Sequence, residues 1–295
     1  MQRSQGTANL VCIMVLYNFE PDTSEIFAAI ESGELGYAIF IDNSTQQEYV
    51  DVIFKTPLDP FIKSRIIYIR NQSNLGLSKA LNLGLLEAKK IKAEYILILD
   101  QDAVLIKNYF RIMYTNFKSI SEFERKLYIM GPIVSNCMND LGKTLGFRAR
   151  FSKVESVINS GMFFKLEIVN KIGKFDENLF LGSIDHEFSQ RILQNGGKIF
   201  RLNMVTICQD FGKSIKANNI IGRILGFYFR FFSYIMVGLD KTNEFQHFAV
   251  YYPYGQLKLN LYDSIKYQQN QKPNIFRITT SKVARLIIEK FGDTK

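Results

Sequence analysis

Asp100-Gln101-Asp102 closes the apolar run Tyr95-Ile96-Leu97-Ile98-Leu99, which puts two carboxylates where a strand suited to the interior leaves it. Carboxylate oxygens are hard ligands suited to Mg2+ or Mn2+, and those ions bridge phosphate oxygens readily. Open α/β sheets bind ligands beyond the carboxyl ends of their strands, so a divalent cation with a diphosphate fits this end. A solvated acidic turn would use the same residues, because Asp favours turns through local hydrogen bonds. The tripeptide alone leaves both possibilities open.

Three other segments follow the same plan, with polar groups after a β-rich run: Tyr17-Asn18 after Val15-Leu16, Asp42-Asn43-Ser44 after Phe40-Ile41, and Arg70 to Gly76 after the run at 65–69. The strand-like runs cover 10–16, 38–41, 65–69 and 95–99. Between them lie helical patterns at 23–32, with Asp22 or Thr23 as N-cap, and at 77–90, with Ala80, Leu81, Gly84 and Ala88 on one period and basic residues at the end. This alternation predicts an α/β fold, a mostly parallel Rossmann-like sheet flanked by helices. Neighbouring carboxyl ends then lie side by side, and the four polar segments line one crevice. Downstream, the pattern predicts strands at 127–134 and 157–164, a hairpin region at 142–151, and a helix at 185–194 stopped by Asn195-Gly196-Gly197.

A chain of 295 residues with 47% hydrophobic content can bury a large core, best divided as one main domain, 1–212, and an appendage, 213–295. The excess of 37 basic over 28 acidic residues favours anionic partners, whether nucleotides, nucleic acid or an anionic membrane face. Basic residues are dispersed and no nucleic-acid motif is present, so nucleic acid is not an expected partner. Cys12, Cys137 and Cys208 are too separated and too few for a disulfide framework, which suits a reducing, cytoplasmic setting. With two histidines, His186 and His247, any metal must be oxygen-bound.

The polar start at 1–9 lacks the features of a signal peptide. The apolar stretch 220–239 has the length of a membrane span but carries Arg223 and Arg230, and a central Arg costs about 2.5 to 3.5 kcal/mol on insertion scales. That stretch is expected to lie on a membrane or in the core. Beyond Gly212, Phe227, Phe229, Phe231, Phe232, Tyr234, Tyr251, Tyr252 and Tyr254 interleave with Arg223, Arg230, Lys241 and Lys258. A helical extension of that kind suits a lipid headgroup layer. An aromatic packing layer or a homo-oligomer contact would have the same composition.

The ordered set of segments resembles the inverting family 2 glycosyltransferases, which carry a V-x-x-Y-N strand, a D-N-x-S strand, an N-x-G-x-x-x-A-x-N helix entry and a D-x-D. Here the first reads Met14-Val15-Leu16-Tyr17-Asn18, with Met where the family usually has Val. The second is Asp42-Asn43-Ser44, one residue tighter than the pattern. The helix entry from Asn74 through Gly76 and Ala80 to Asn82 fits in full. Asp-Gln-Asp, with Asn159-Ser160-Gly161-Met162-Phe163-Phe164 downstream, looks most like the rhamnosyltransferase-type members that use dTDP-rhamnose.

The resemblance implies a GT-A fold and a set of roles. Tyr17, Asn18 and Asp42 would hold the base and ribose side, where a carboxylate can accept from hydroxyl and N–H groups. Asp42 is also a good turn-forming residue. Asn74 and Gly76 would cap the helix, with its free N–H groups toward the diphosphate, though a cap with no ligand role is equally consistent. Asp102 would hold Mg2+ or Mn2+, with Asp100 either touching the nucleotide sugar or supporting the metal ligand from behind, and Gln101 near the nucleotide sugar. In Phe175-Asp176-Glu177-Asn178-Leu179-Phe180 through Asp185-His186-Glu187 to Arg191, the family pattern makes Asp185 the general base. Asp185 and Glu187 are also good first-turn residues for a helix. Gly161, His186, Glu187, Arg191 and Gln209 are possible acceptor or diphosphate contacts, with Arg191 either pairing with Glu187 or reaching phosphate.

Two departures from the family stand out. Gln209-Asp210-Phe211-Gly212 replaces the usual His-x-G, and Tyr251-Tyr252-Pro253-Tyr254-Gly255 lacks the Arg-Asn pair of rhamnosyltransferase-like members. The expected function is transfer of a sugar, L-rhamnose from dTDP-rhamnose, to a lipid-linked or cell-surface glycan acceptor at the inner face of a membrane. A UDP-sugar donor is the alternative within the family, and a non-catalytic nucleotide-sugar binder the alternative outside it. Nucleotidyl transfer would need a Gly-rich phosphate loop that Asn18-Phe19-Glu20-Pro21 does not supply.

Overall fold

The computed structural model describes residues 9–55, 57–121, 123–124, 127–135, 140–142, 149–179 and 184–209. The start at 1–8, Cys137, the hairpin interior at 143–148, Asp210-Phe211-Gly212 and the whole extension 213–295 lie outside the described residues. Apart from residues 177–179, everything described belongs to one compact unit.

Its first half runs β1 (Leu10–Leu16), α1 (Ser24–Ser32), β2 (Tyr37–Asp42), α2 (Pro60–Lys63), β3 (Ile66–Arg70), α3 (Leu77–Lys90) and β4 (Tyr95–Asp100). The second half adds β5 (Ala103–Val104), α4 (Tyr109–Ile120), β6 (Tyr128–Ser135), β7 (Phe151–Lys153), β8 (Phe163–Lys165), α5 (Ile168–Ile172), α6 (Ile184–Gln194) and β9 (Lys198–Gln209). The strands form one sheet in the order β3-β2-β1-β4-β8-β6-β9-β5, with β7 paired to β9.

β1, and β4 up to Leu99, are apolar because each is buried on both faces, as central parallel strands are. β3, β2, β1 and β4 pair in parallel, and their register sets Leu16 against Asp42 and Val15 against Asp100. That alignment puts the polar segments at one rim. α3 lies so close to β1 that a Cβ on Gly84 would stand 2.6 Å from Ile13 Cγ2, so glycine permits the approach. Lys89 and Lys90 close α3, where cations complement the helix dipole. At α1, Thr23 takes the N-cap position while Asp22 Oδ1 accepts from Ser24 N at 3.0 Å.

Beyond β4 the sheet is mixed. β8 runs antiparallel to both β4 and β6, while β6 and β9 are parallel. The strand expected at 157–164 is shortened to Phe163–Lys165, since Gly161 takes a φ of +86° and Met162 N turns back to Asn159 O at 3.0 Å. α4 is not part of the sequence expectation, although Phe110, Met113, Phe117 and Ile120 bury one helical face. β9 crosses the sheet for 12 residues with a register shift opposite Pro132/Ile133, and so carries Gln209 to the rim.

Candidate active site

The acidic centre is assembled from three places in the chain. Asp100 ends β4, and Asp102 lies between β4 and β5. Antiparallel pairing of β5 with β9 sets Ala103 opposite Gln209, whose Nε2 donates to Asp100 Oδ2 at 2.6 Å. Asp185 stands in the first turn of α6, buried, with Oδ1 accepting from His186 N at 2.9 Å. Enclosure of the Asp100 carboxyl, and then the charges of Asp102 and Asp185, raise its pKa to about 8, against a lowering by the Gln209 bond. The charges of Asp102 and Asp185 thus both act on Asp100.

The neighbouring loops are held by side chains expected to face a ligand. Gln101 Oε1 accepts from Tyr17 N at 2.7 Å and its Nε2 donates to Tyr17 O at 3.3 Å. Asn18, at a φ of +46°, accepts on Oδ1 from Thr45 N and Gln46 N, both at 3.0 Å, and donates from Nδ2 to Thr45 Oγ1. Gln101 and Asn18 thus brace the loops after β1 and β2.

Asp42 is fully buried, and its turn-forming capacity is realised: Oδ1 accepts from Ser44 N at 2.8 Å. Tyr68 Oη donates to Oδ2 and itself accepts from Asp51 N at 2.9 Å. Burial, followed by the bond to Asp42, raises the Tyr68 pKa above its ordinary value. Tyr68 was not foreseen. Its signal is a polar-tipped ring among the isoleucines of β3, paired with Phe40 two residues before Asp42.

Gly76 is the N-cap of α3 with φ 83° and ψ 165°, a region essentially restricted to glycine. Asn74 Oδ1 accepts from Gly76 N at 2.9 Å, and no side chain caps the helix. Asn74 therefore turns the chain into α3 instead of capping it, and the helix keeps the positive N-terminal end that favours anions. Asn43, quoted in the strand pattern without a role of its own, donates to Gly76 O at 3.3 Å and accepts from Asn71 Nδ2 at 2.8 Å, joining the ends of β2 and β3 to this turn.

Gly161 N donates to Ile98 O at 2.8 Å, so the turn at 159–162 is attached two residues before Asp100. Asn159 Oδ1 and Ser160 Oγ are buried there without a hydrogen-bond partner among the described residues. On α6, Arg191 forms a two-bond pair with Glu187, from Nε to Oε1 and from Nη2 to Oε2, and donates from Nη1 to Ile172 O at 2.6 Å. The pairing alternative for Arg191 is the one observed. His186, next to Asp185, is half-buried. Asn82, quoted in the helix-entry pattern without a role, bonds to both backbone groups of Phe175.

Among the described residues, no group of three or more His, Cys, Asp or Glu side chains forms a ready metal cage, and no helix is long and apolar enough to cross a membrane. Residues 12–173 match the family model described as Glycosyl transferase family 2. A crystal structure of GalNAc-T7 with UDP, GalNAc and Mn2+ superposes with a TM-score of 0.55 at 12% identity, over 98% of this chain and 57% of that one. At that identity the likeness is one of fold, and the chain spans little more than half of that protein's length. Among curated proteins none matches in sequence.

Proposed function

The chain belongs to glycosyl transferase family 2 and has the GT-A fold, and on that premise we propose that it moves a sugar from a nucleotide donor to a glycan acceptor with inversion. The observation that carries this proposal is Asp100 at the carboxyl end of β4, on which the charges of Asp102 and of Asp185, at the start of α6, both act. Asp185 acts as general base. It takes the proton of an acceptor hydroxyl as that oxygen attacks the anomeric carbon, and the bond to the nucleotide diphosphate breaks on the opposite face.

The donor set fits a divalent cation. Repulsion among the carboxylates around Asp100 is what a cation relieves, and Mg2+ commonly takes only one or two carboxylates, completing its shell with phosphate and water. Asp102, with Asp100 beside it, would hold Mg2+ or Mn2+, which when bound neutralises charge on the departing diphosphate. The uncapped start of α3 at Gly76 favours the same diphosphate, while Asp42 and Tyr17 lie on the nucleoside side. The buried Asn159 Oδ1 and Ser160 Oγ suit sugar hydroxyls, which both donate and accept. Gly161 brings that turn to β4.

The proposed donor is dTDP-rhamnose, on the Asp-Gln-Asp and Asn159-Ser160-Gly161 resemblance. The proposed acceptor is a lipid-linked or cell-surface glycan at the cytoplasmic face of a membrane, with 213–295 as the segment that meets the membrane or a second copy. Nucleotide sugars are screened, with Mg2+ or Mn2+, for thermal stabilisation and hydrolysis. Asp185→Asn should keep donor binding and lose turnover by about 10²- to 10⁴-fold, the usual contribution of a positioned base. Turnover undiminished in Asp185→Asn overturns the assignment, and stabilisation by a UDP-sugar in place of dTDP-rhamnose overturns the donor alone.

A further inference from the structure

Asparagine is a poor helix former, yet Asn82 stands in the interior of α3, buried, six residues beyond Gly76. Its amide clasps one peptide unit of a segment 93 residues away: Nδ2 donates to Phe175 O at 2.9 Å, and Phe175 N donates to Oδ1 at 3.0 Å. Two antiparallel bonds fix both the position and the rotation of Phe175. Gln is one methylene too long for this clasp, Asp lacks the donor, and Leu lacks both groups.

Phe175 passes that constraint on. Its ring stacks on Phe188 with centroids 4.5 Å apart and planes 29° apart, and Phe188 also meets Phe164 at 5.5 Å. Phe188 lies three residues after Asp185 on the same buried face of α6. One turn further, Arg191 Nη1 holds Ile172 O at 2.6 Å. The base helix is thus docked at two points on the stretch 172–175, and α3 clasps that stretch.

We propose that Asn82 is a positioning residue for the reaction, setting the place of Asp185 through Phe175 and Phe188. The inference rests on Asp185 being the base. α3 then serves both halves of the site: its Gly76 end lies toward the diphosphate, and Asn82, roughly 9 Å along the axis at 1.5 Å per residue, fixes the base. A displacement of about 1 Å at the reacting groups can cost on the order of 10²-fold in rate.

The test uses the full chain with dTDP-rhamnose, or the nucleotide sugar that stabilises it in the screen, with Mn2+ and a lipid-linked glycan as acceptor. Asn82→Ala should lower kcat by about 10- to 100-fold, measured well below the variant's melting temperature, with donor affinity by titration unchanged. If that variant does not fold, Phe175→Leu keeps the backbone clasp, loses the stack, and should show the same split. A wild-type kcat in the folded variant, whatever its melting temperature, overturns the inference, because a merely structural clasp moves stability alone. So does a parallel loss of donor affinity, which would place the effect on the nucleotide side. Undiminished turnover of Asp185→Asn is a separate result and removes the base assignment itself.

Discussion

Gln209 and Asp100, the last residues of β9 and β4, are joined by a 2.6 Å hydrogen bond from Nε2 to Oδ2 across 109 positions of sequence. The bond favours the charged carboxylate, but enclosure and the charges of Asp102 and Asp185 outweigh it, and the Asp100 pKa rises from 3.8 to about 8. Between those values the folded protein holds a proton that the unfolded chain releases. The stability of the cation-free protein should therefore fall as pH rises from about 4 to about 8, then level off. Chelator-treated protein melted across this range should lose stability relative to Asp100→Asn, which cannot titrate. Added Mg2+ or Mn2+ displaces the proton, so its stabilising effect should grow with pH. Parallel pH curves for wild type and Asp100→Asn would falsify the account.

Tyr68→Phe removes the hydroxyl that donates to Asp42 Oδ2 and accepts from Asp51 N. A hydrogen bond to a charged group contributes about 1.5 to 3 kcal/mol, so urea unfolding should show a loss on that order. Asp42 keeps its Ser44 bond but gains rotational freedom, and nucleotide titration should show weaker binding. If affinity is unchanged, Tyr68 supports the fold without orienting Asp42 for a ligand.

The rim was legible in sequence because its strands are. β1 and β4 are unbroken apolar runs, the mark of a strand buried on both faces, and the polar residues after them had to emerge at the carboxyl ends. Gly76 was legible through the family's helix-entry pattern, and its φ of 83° gives the physical reason for glycine there. What each amide does there was not. Asn18, Asn74 and Gln101 bond to backbone in their own or neighbouring loops, and strand spacing says nothing about which rotamer is nearest which peptide. Gln209 was visible as a departure from the family pattern, but its partner became visible only when β5 paired with β9. Asn82 was read as part of a pattern, while its contact with Phe175 depends on a loop 93 residues away.

Gln101→Ala tests whether bracing Tyr17 matters to the donor. The substitution removes an acceptor from Tyr17 N and a donor from Tyr17 O in a half-buried loop. The structural cost should be about 1 kcal/mol, typical of a neutral hydrogen bond. The kinetic effect should fall on KM for the nucleotide sugar, with kcat nearly unchanged, because Tyr17 is proposed for the nucleoside side and Asp185 is untouched. An unchanged KM would mean that the loop holds its place without Gln101.

Gly84→Ala sets two physical effects of opposite sign against each other. Inside a helix, Ala is favoured over Gly by about 1 kcal/mol, and on an open face the change would stabilise. Here the new Cβ would stand 2.6 Å from Ile13 Cγ2 and 3.3 Å from Ile13 Cδ1, and Ile13 is fully enclosed in β1 beneath α3. Neither a central strand nor a branched core side chain yields easily, and overpacking of this kind costs about 1 to 3 kcal/mol. Urea unfolding should show net destabilisation. In the Ile13→Ala background the same substitution meets open space, so the double variant should lose less than the two single losses together. Stabilisation by Gly84→Ala alone would show that α3 stands further from β1 than this packing requires.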